Sequence, residues 1–159
     1  MFAAKENPAT FPSPIAVGLR VANVRRAAEF YQEIGFKFVM AVPDEKDEWL
    51  LCLLRYGSGS ILLGALDHPQ FPRTSRHQRL QSGPRGLGVR IDLNVPDLAV
   101  TYAACVAAGC QVTAEPVQEF WGDRSFSCLD PFGYEWQFTQ TAERMTYDQM
   151  AKAAKAVWS

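Results

Sequence analysis

The chain carries an internal repeat. Shifting its 159-residue sequence by 74 positions sets Leu19 on Leu93, Val21 on Val95, Gly35 on Gly109 and Gly59 on Gly133 without a gap. Ile15 falls on Val89 and Val17 on Ile91. These matches lie at alternate apolar positions of a strand, at a helix-ending glycine and at a turn glycine. Two copies of one motif are expected, over residues 15–66 and 89–140. A copy of about fifty residues is marginal for folding alone, so the copies should pack together or against a second chain. A paired motif tends to place its working site between the copies, and the register then names the side chains that face it.

Each copy reads as β-α-β-β-β. In the first, Ile15, Val17, Leu19 and Val21 share one strand face, while Ala16, Gly18 and Arg20 share the other. Asn23 can cap a helix running to Ile34, and Gly35 is placed to end it. Strands are expected over Phe36–Ala41, Trp49–Tyr56 and Ile61–Leu66, with Gly57-Ser58-Gly59 as a turn. In the second copy, Ile91, Leu93 and Val95 alternate with Arg90, Asp92 and Asn94. Asp97 caps a helix to Ala108, Gly109 stops it, and Gln111–Ala114 is a short strand. Arg124–Leu129 and Tyr134–Gln140 form a hairpin about Asp130-Pro131-Phe132-Gly133, a type I turn pattern.

The remaining segments read as an arm (1–14), a linker (67–88) holding four arginines, and a C-terminal segment (141–159). In the last, Thr146-x-x-Gln149 is a capping box opening a helix on which Met150, Ala154 and Val157 share a face. The net charge of −1 gives no general attraction to nucleic acid or anionic membrane. No apolar run reaches the roughly 20 residues of a membrane span, and the first residues lack the apolar core of a secretory signal. Cys52, Cys105, Cys110 and Cys128 form no C-x-x-C pair and read as buried thiols of a cytoplasmic protein.

Two segments resemble a known family. GLRVANVRRAAEFYQEIGFKF is similar to the first module of the vicinal oxygen chelate superfamily, which includes glyoxalase I, bleomycin-resistance proteins and extradiol dioxygenases. FWGDRSFSCLDPFGYEWQF resembles the end of the second module. The resemblance covers residues 14–140. It implies an α+β fold whose two β-α-β-β-β repeats form curled, mostly antiparallel, cup-shaped sheets with helices outside. It also implies a two-fold homodimer.

Enzymes of this superfamily hold a divalent ion through His, Glu or Gln on the first and last strands of each module. The repeat register places the four equivalent positions at Ala16, Leu63, Arg90 and Gln137. Two are apolar and one is a fixed cation that repels an ion. One neutral amide does not hold a metal. The two histidines, His68 and His77, lie in the linker. A protein with no metal and no cofactor is expected.

Strand alternation sends Arg20, Arg90, Asp92, Asn94, Glu135, Gln137 and Thr139 toward the cup, and Trp136 and Phe138 to the core. Trp49, Phe120, Trp121 and Phe126 are the aromatic complement; Trp121 is the main candidate for a groove rim, and Phe126 alternates with Cys128 toward the helix side. Arg124 can brace Asp130 or Asp123. The ligand-binding candidates are therefore Arg20, Trp49, Arg90, Asp92, Asn94, Trp121, Glu135 and Gln137. The expected function is binding of a small planar or aromatic molecule in a metal-free cup, by sequestration. The alternative is a glyoxalase-like lyase or isomerase, or a dioxygenase-like enzyme, with Asp92 or Glu135 as base and Arg90 stabilising an oxyanion. A third possibility is a regulatory or interaction module using the linker arginines and the C-terminal helix.

Overall fold

A computed structural model describes residues 16–67 and 75–158. The arm at 1–14, Ile15, His68 and the side chain of His77 lie outside the described residues. The chain divides into two compact units, with the boundary between Pro84 and Arg85.

The first unit runs β1 (Ala16–Val21), α1 (Val24–Glu33), β2 (Lys37–Pro43), β3 (Trp49–Tyr56) and β4 (Gly59–Ala65), followed by α2 (Ser75–Ser82). Its sheet has the order β1-β4-β3-β2. The β1–β4 pair is parallel and the other two pairs are antiparallel. The expected α+β repeat is therefore present, as a mixed sheet. Helix α2 falls in the segment expected to be linker. Its residues, SRHQRLQS, are nearly all polar, so no apolar periodicity announces it.

Asn23 caps α1 as expected: its side chain accepts from the Arg26 N–H at 2.9 Å. Gly35 takes φ +108° just beyond the helix. The Gly35 N–H then reaches the Gln32 carbonyl and the Phe36 N–H reaches Tyr31, which closes the last turn. Val24, Ala27, Ala28, Phe30 and Tyr31 form the buried stripe of α1. They pack on Leu19, Val21, Cys52, Leu54, Ile61 and Leu63, all buried. Burying a side chain of this size contributes roughly 1.5–3 kcal/mol.

The second unit repeats the plan as β5 (Arg90–Asn94), α3 (Leu98–Ala107), β6 (Gln111–Gln118), β7 (Asp123–Leu129) and β8 (Glu135–Thr141), then α4 (Tyr147–Trp158). Its sheet order is β5-β8-β7-β6, again with one parallel pair. Strand β6 runs four residues beyond the short strand expected, because bulges let it follow β7 to Gln118. Asp97 caps α3, accepting from the Val100 N–H at 3.0 Å. Gly109 ends it at φ +87°. Trp136, Phe138 and Phe126 are fully buried and stack, with ring centroids 5.0 and 5.8 Å apart. The capping box before α4 forms in both directions between Thr146 and Gln149.

The repeat is not gapless. The β3–β4 hairpin turns through Gly57 and Ser58, with Tyr56 paired to Gly59. In the β7–β8 hairpin Asp130 pairs with Tyr134, leaving three residues in the loop. The extra residue displaces β8 by one position against β4. Leu19 pairs with Leu63, whereas its counterpart Leu93 pairs with Phe138. Gln137 therefore corresponds to Leu62, and Leu63 lies on the helix side, fully buried. The assignment of Leu63 to a cup position is thus corrected to Leu62.

Candidate functional site

The open face of the second sheet is built by strand register. Arg90 pairs with Glu135, Asp92 with Gln137 and Asn94 with Thr139 across the parallel β5–β8 pair. Next to them on β7 come Leu129, Ser127 and Ser125. The alternate residues Trp136, Phe138, Phe126 and Cys128 are buried on the helix side. Burial of that face fixes the register, since a slip of one residue would bury the polar set. The expected polar face of Arg90, Asp92, Asn94, Glu135, Gln137 and Thr139 is therefore assembled on two adjacent strands.

Arg90 holds Asp92 in a two-pronged ion pair, Nε to Oδ1 at 2.9 Å and the terminal nitrogen to Oδ2 at 3.4 Å. Both side chains are about half exposed, 46% and 56%, so the pair adds little stability and orients its two charges instead. Asn94 donates to the Thr141 hydroxyl at 3.3 Å.

Trp121 lies in the β6–β7 connection, half-buried, and donates its indole N–H to Asp123 at 3.1 Å. Phe120 meets it edge-on at 4.8 Å. Glu119, from the same connection, binds the buried Ser125 hydroxyl. Ser125 pairs with Thr139, so this connection sits at the Asn94–Thr139 end of the face. Arg90 and Glu135 occupy the other end, about 13 Å along the strands. The structure brings Arg90, Asp92, Glu135 and Gln137 together and sets Trp121 apart from Arg90.

Gly122 anchors that connection. It has φ +96°, and its carbonyl accepts the N–H groups of Ala142 and Glu143. A Cβ there would collide with the backbone carbonyl of Glu143. Gly122→Ala is expected to cost about 2 kcal/mol and to change the Trp121 fluorescence of the folded protein. Denaturant titration followed by tryptophan emission checks both.

In the first unit, Arg20 lies on the open face across Gly64 and donates to the Ala65 carbonyl at 3.1 Å. Its neighbours there are Leu62, Leu51 and Leu53, so this face is mostly apolar. Trp49 is elsewhere. A bulge between Val42 and Pro43 turns it toward α1. Its ring packs under the Arg25 guanidinium at 4.6 Å and against Phe38 at 5.6 Å. Arg25 is held in turn by Asp47. No alternation rule could have placed Trp49, because the bulge breaks the period.

Asp130, one of the two carboxylates expected as a brace for Arg124, binds within its own hairpin. Its buried carboxylate accepts from the Phe132 and Tyr134 N–H groups and the Trp136 indole, each at 2.9 Å.

The residues at the superfamily's metal positions do not suit an ion. On the first strands they are Ala16 and Arg90; on the last strands they are Leu62 and Gln137. Two hydrocarbon groups, a cation and one amide offer no charged donor.

Duplicated β-α-β-β-β units define the class of this fold. The chain belongs to the glyoxalase/bleomycin resistance protein/dioxygenase superfamily, whose model matches residues 14–138. An uncharacterized protein of Mycobacterium bovis is 31% identical over 68 residues, which is 43% of this chain and 45% of that protein. The chain thus spans less than half the length of the curated relatives it matches. TioX from Micromonospora sp. ML1 is 20% identical with a TM-score of 0.62, over 81% of this chain and 98% of that one. The bleomycin resistance determinant encoded on transposon Tn5 is 21% identical with a TM-score of 0.51, over 82% and 99%. At these identities the solved structures share the fold. No described helix is long and apolar enough to cross a membrane.

Proposed function

We propose that this protein binds a small planar or aromatic molecule at the polar face of β5 and β8, without a metal at the superfamily's ion positions, and acts by sequestration. The observation that carries this reading is the register that sets Arg90, Asp92, Gln137 and Glu135 side by side. The face is polar, while Ile91, Leu93, Trp136 and Phe138 make the opposite face of the same strands mostly apolar, with Gln140 at its end accepting from the Leu98 N–H. Groups fixed this way orient the edges of a flat ligand, and Trp121 stacks on the part of it that reaches the Asn94–Thr139 end of the face.

Binding is favoured over chemistry by the Arg90–Asp92 pair. Both Asp92 oxygens face the guanidinium, which leaves the carboxylate poorly placed to take a substrate proton. Arg20 is the corresponding candidate of the first unit. A homodimer in the cytoplasm completes the proposal.

The test is a titration with bleomycin and a set of flat aromatic carboxylates, read by thermal shift and by tryptophan quenching. A saturable rise in Tm is expected for at least one of them, with no product by mass spectrometry. Affinity should fall about tenfold or more in Arg90→Ala, the amount that loss of a charge-assisted contact produces. Binding unchanged in Arg90→Ala, or turnover of the ligand, would sink the reading.

A further inference from the structure

Three of the four cysteines meet at one point in the second unit. The sulfurs of Cys105, Cys110 and Cys128 all lie within 4.8 Å of one another, and all four thiols are unbridged. Cys105 comes from the last turn of α3, Cys110 follows Gly109, and Cys128 is on the helix side of β7. The helix end itself makes the first contact. The Cys110 N–H donates to the Cys105 carbonyl at 2.9 Å, the closing bond of a glycine-ended helix. That motif sets the side chains of its two bonded residues against each other.

The first unit shows what this place holds when it is only core. Its equivalents are Tyr31, Phe36 and Leu54, related by the same 74-residue shift. Tyr31 and Phe36 make the same backbone bond, and their rings meet at 5.8 Å. The second copy puts a small thiol at all three positions together. Two aromatic rings and a leucine fill a core better than three cysteines do. Three soft donors converging on one point is what ligation requires.

We propose that Cys105, Cys110 and Cys128 form a three-sulfur site for a soft, thiophilic cation, copper in its Cu(I) state. The donor set selects the ion. Thiolates favour Cu(I) over hard cations. Zinc in closed protein sites takes four ligands, and among the described residues the cluster offers three. Cys105 and Cys128 are fully buried and Cys110 is half-buried, so the ion enters from the Cys110 side. The ion arrives as Cu(I) and leaves no electron behind; copper–sulfur bonds form and thiol protons go to solvent. Affinity therefore rises with pH.

The cluster is electrically prepared. Hydrogen bonds from Cys105 and then Cys110 hold the Cys128 thiol well below the ordinary range. The Cys105 thiol is pushed up by its bonds to Cys110 and Cys128 and by burial. At Cys110 the bond with Cys105 pulls downward but is outweighed by the bond with Cys128 and by burial. Cys52, alone in the first unit, is simply pushed up to about 12 by burial.

The experiment titrates the reduced full chain with Cu(I) without oxygen, against the chelator bathocuproine disulfonate. One ion per chain should leave the chelator. Cys110→Ser should weaken binding by about 10–100-fold or more, since even outer-shell losses reach that range. Cys52→Ser should bind as the parent does. X-ray absorption at the copper edge should report three sulfur neighbours, a readout that needs no variant. Copper left on the chelator, a folded Cys110→Ser variant that binds unchanged, or a first shell without three sulfurs would each overturn the site.

Discussion

Asp130→Ala is expected to lower the stability of the second unit by about 3–4 kcal/mol. The physical reason is the number of donors it would strand. One carboxylate satisfies two backbone N–H groups and the Trp136 indole within the β7–β8 hairpin. Bonds to a charged acceptor contribute about 1.5–3 kcal/mol, and three that share one carboxylate are coupled and do not add, so the loss stays below their sum. Asp130→Asn keeps one acceptor oxygen and should lose about half as much. Guanidinium denaturation of the two variants, compared at constant slope, measures the difference. A loss below about 1 kcal/mol for the alanine variant would show that water replaces the carboxylate at no great cost.

Leu63→Gln should cost about 4 kcal/mol, and Leu62→Gln less than about 1 kcal/mol. The two residues are adjacent, but Leu63 is fully buried under α1 and Leu62 is on the open face. The first substitution deletes a packed side chain and buries an unpaired amide. The second places an amide where the other unit already has Gln137. Thermal melts of the pair decide the register of β4. If the two variants melt together, the one-residue shift between the units is wrong.

The elements that declared themselves in the sequence are those ruled by local chemistry. Asn23, Asp97 and Thr146 cap the helices expected of them, and Gly35 and Gly109 end theirs. The faces of β5 and β8 followed from simple alternation. What failed to show depends on counting across irregular backbone. A constant shift matched Gly59 with Gly133, although one hairpin loop is a residue longer than the other. Two glycines can align in sequence and still serve different turns. The bulge at Leu50, between Trp49 and Leu51, undid the face of Trp49 in the same way. Helix α2 was hidden by its polarity.

The thiol cluster has a signal in the repeat and none in its spacing. Cys105, Cys110 and Cys128 carry no ligand spacing of their own, because their contact is made by a helix end and a strand. Mapping them onto Tyr31, Phe36 and Leu54 would have shown three positions of one core. A repeat reads its own tertiary contacts when one copy is laid on the other. The polar face was legible as a set of residues. The Arg90–Asp92 pairing was not, since it rests on which side chains on one strand face reach each other.

In each sheet the earliest strand pairs with the latest one. This has a consequence for synthesis. On a ribosome, β1 emerges first and has no sheet partner until residue 65 is out. The hairpin of β3 and β4 must be made before β1 can be added beside it. Each unit therefore completes only when its last strand is available, and sequence-distant pairing of this kind slows folding. Among the described residues the strand pairs of the first sheet span 16–65, so that sheet can be finished while the second unit is still being translated.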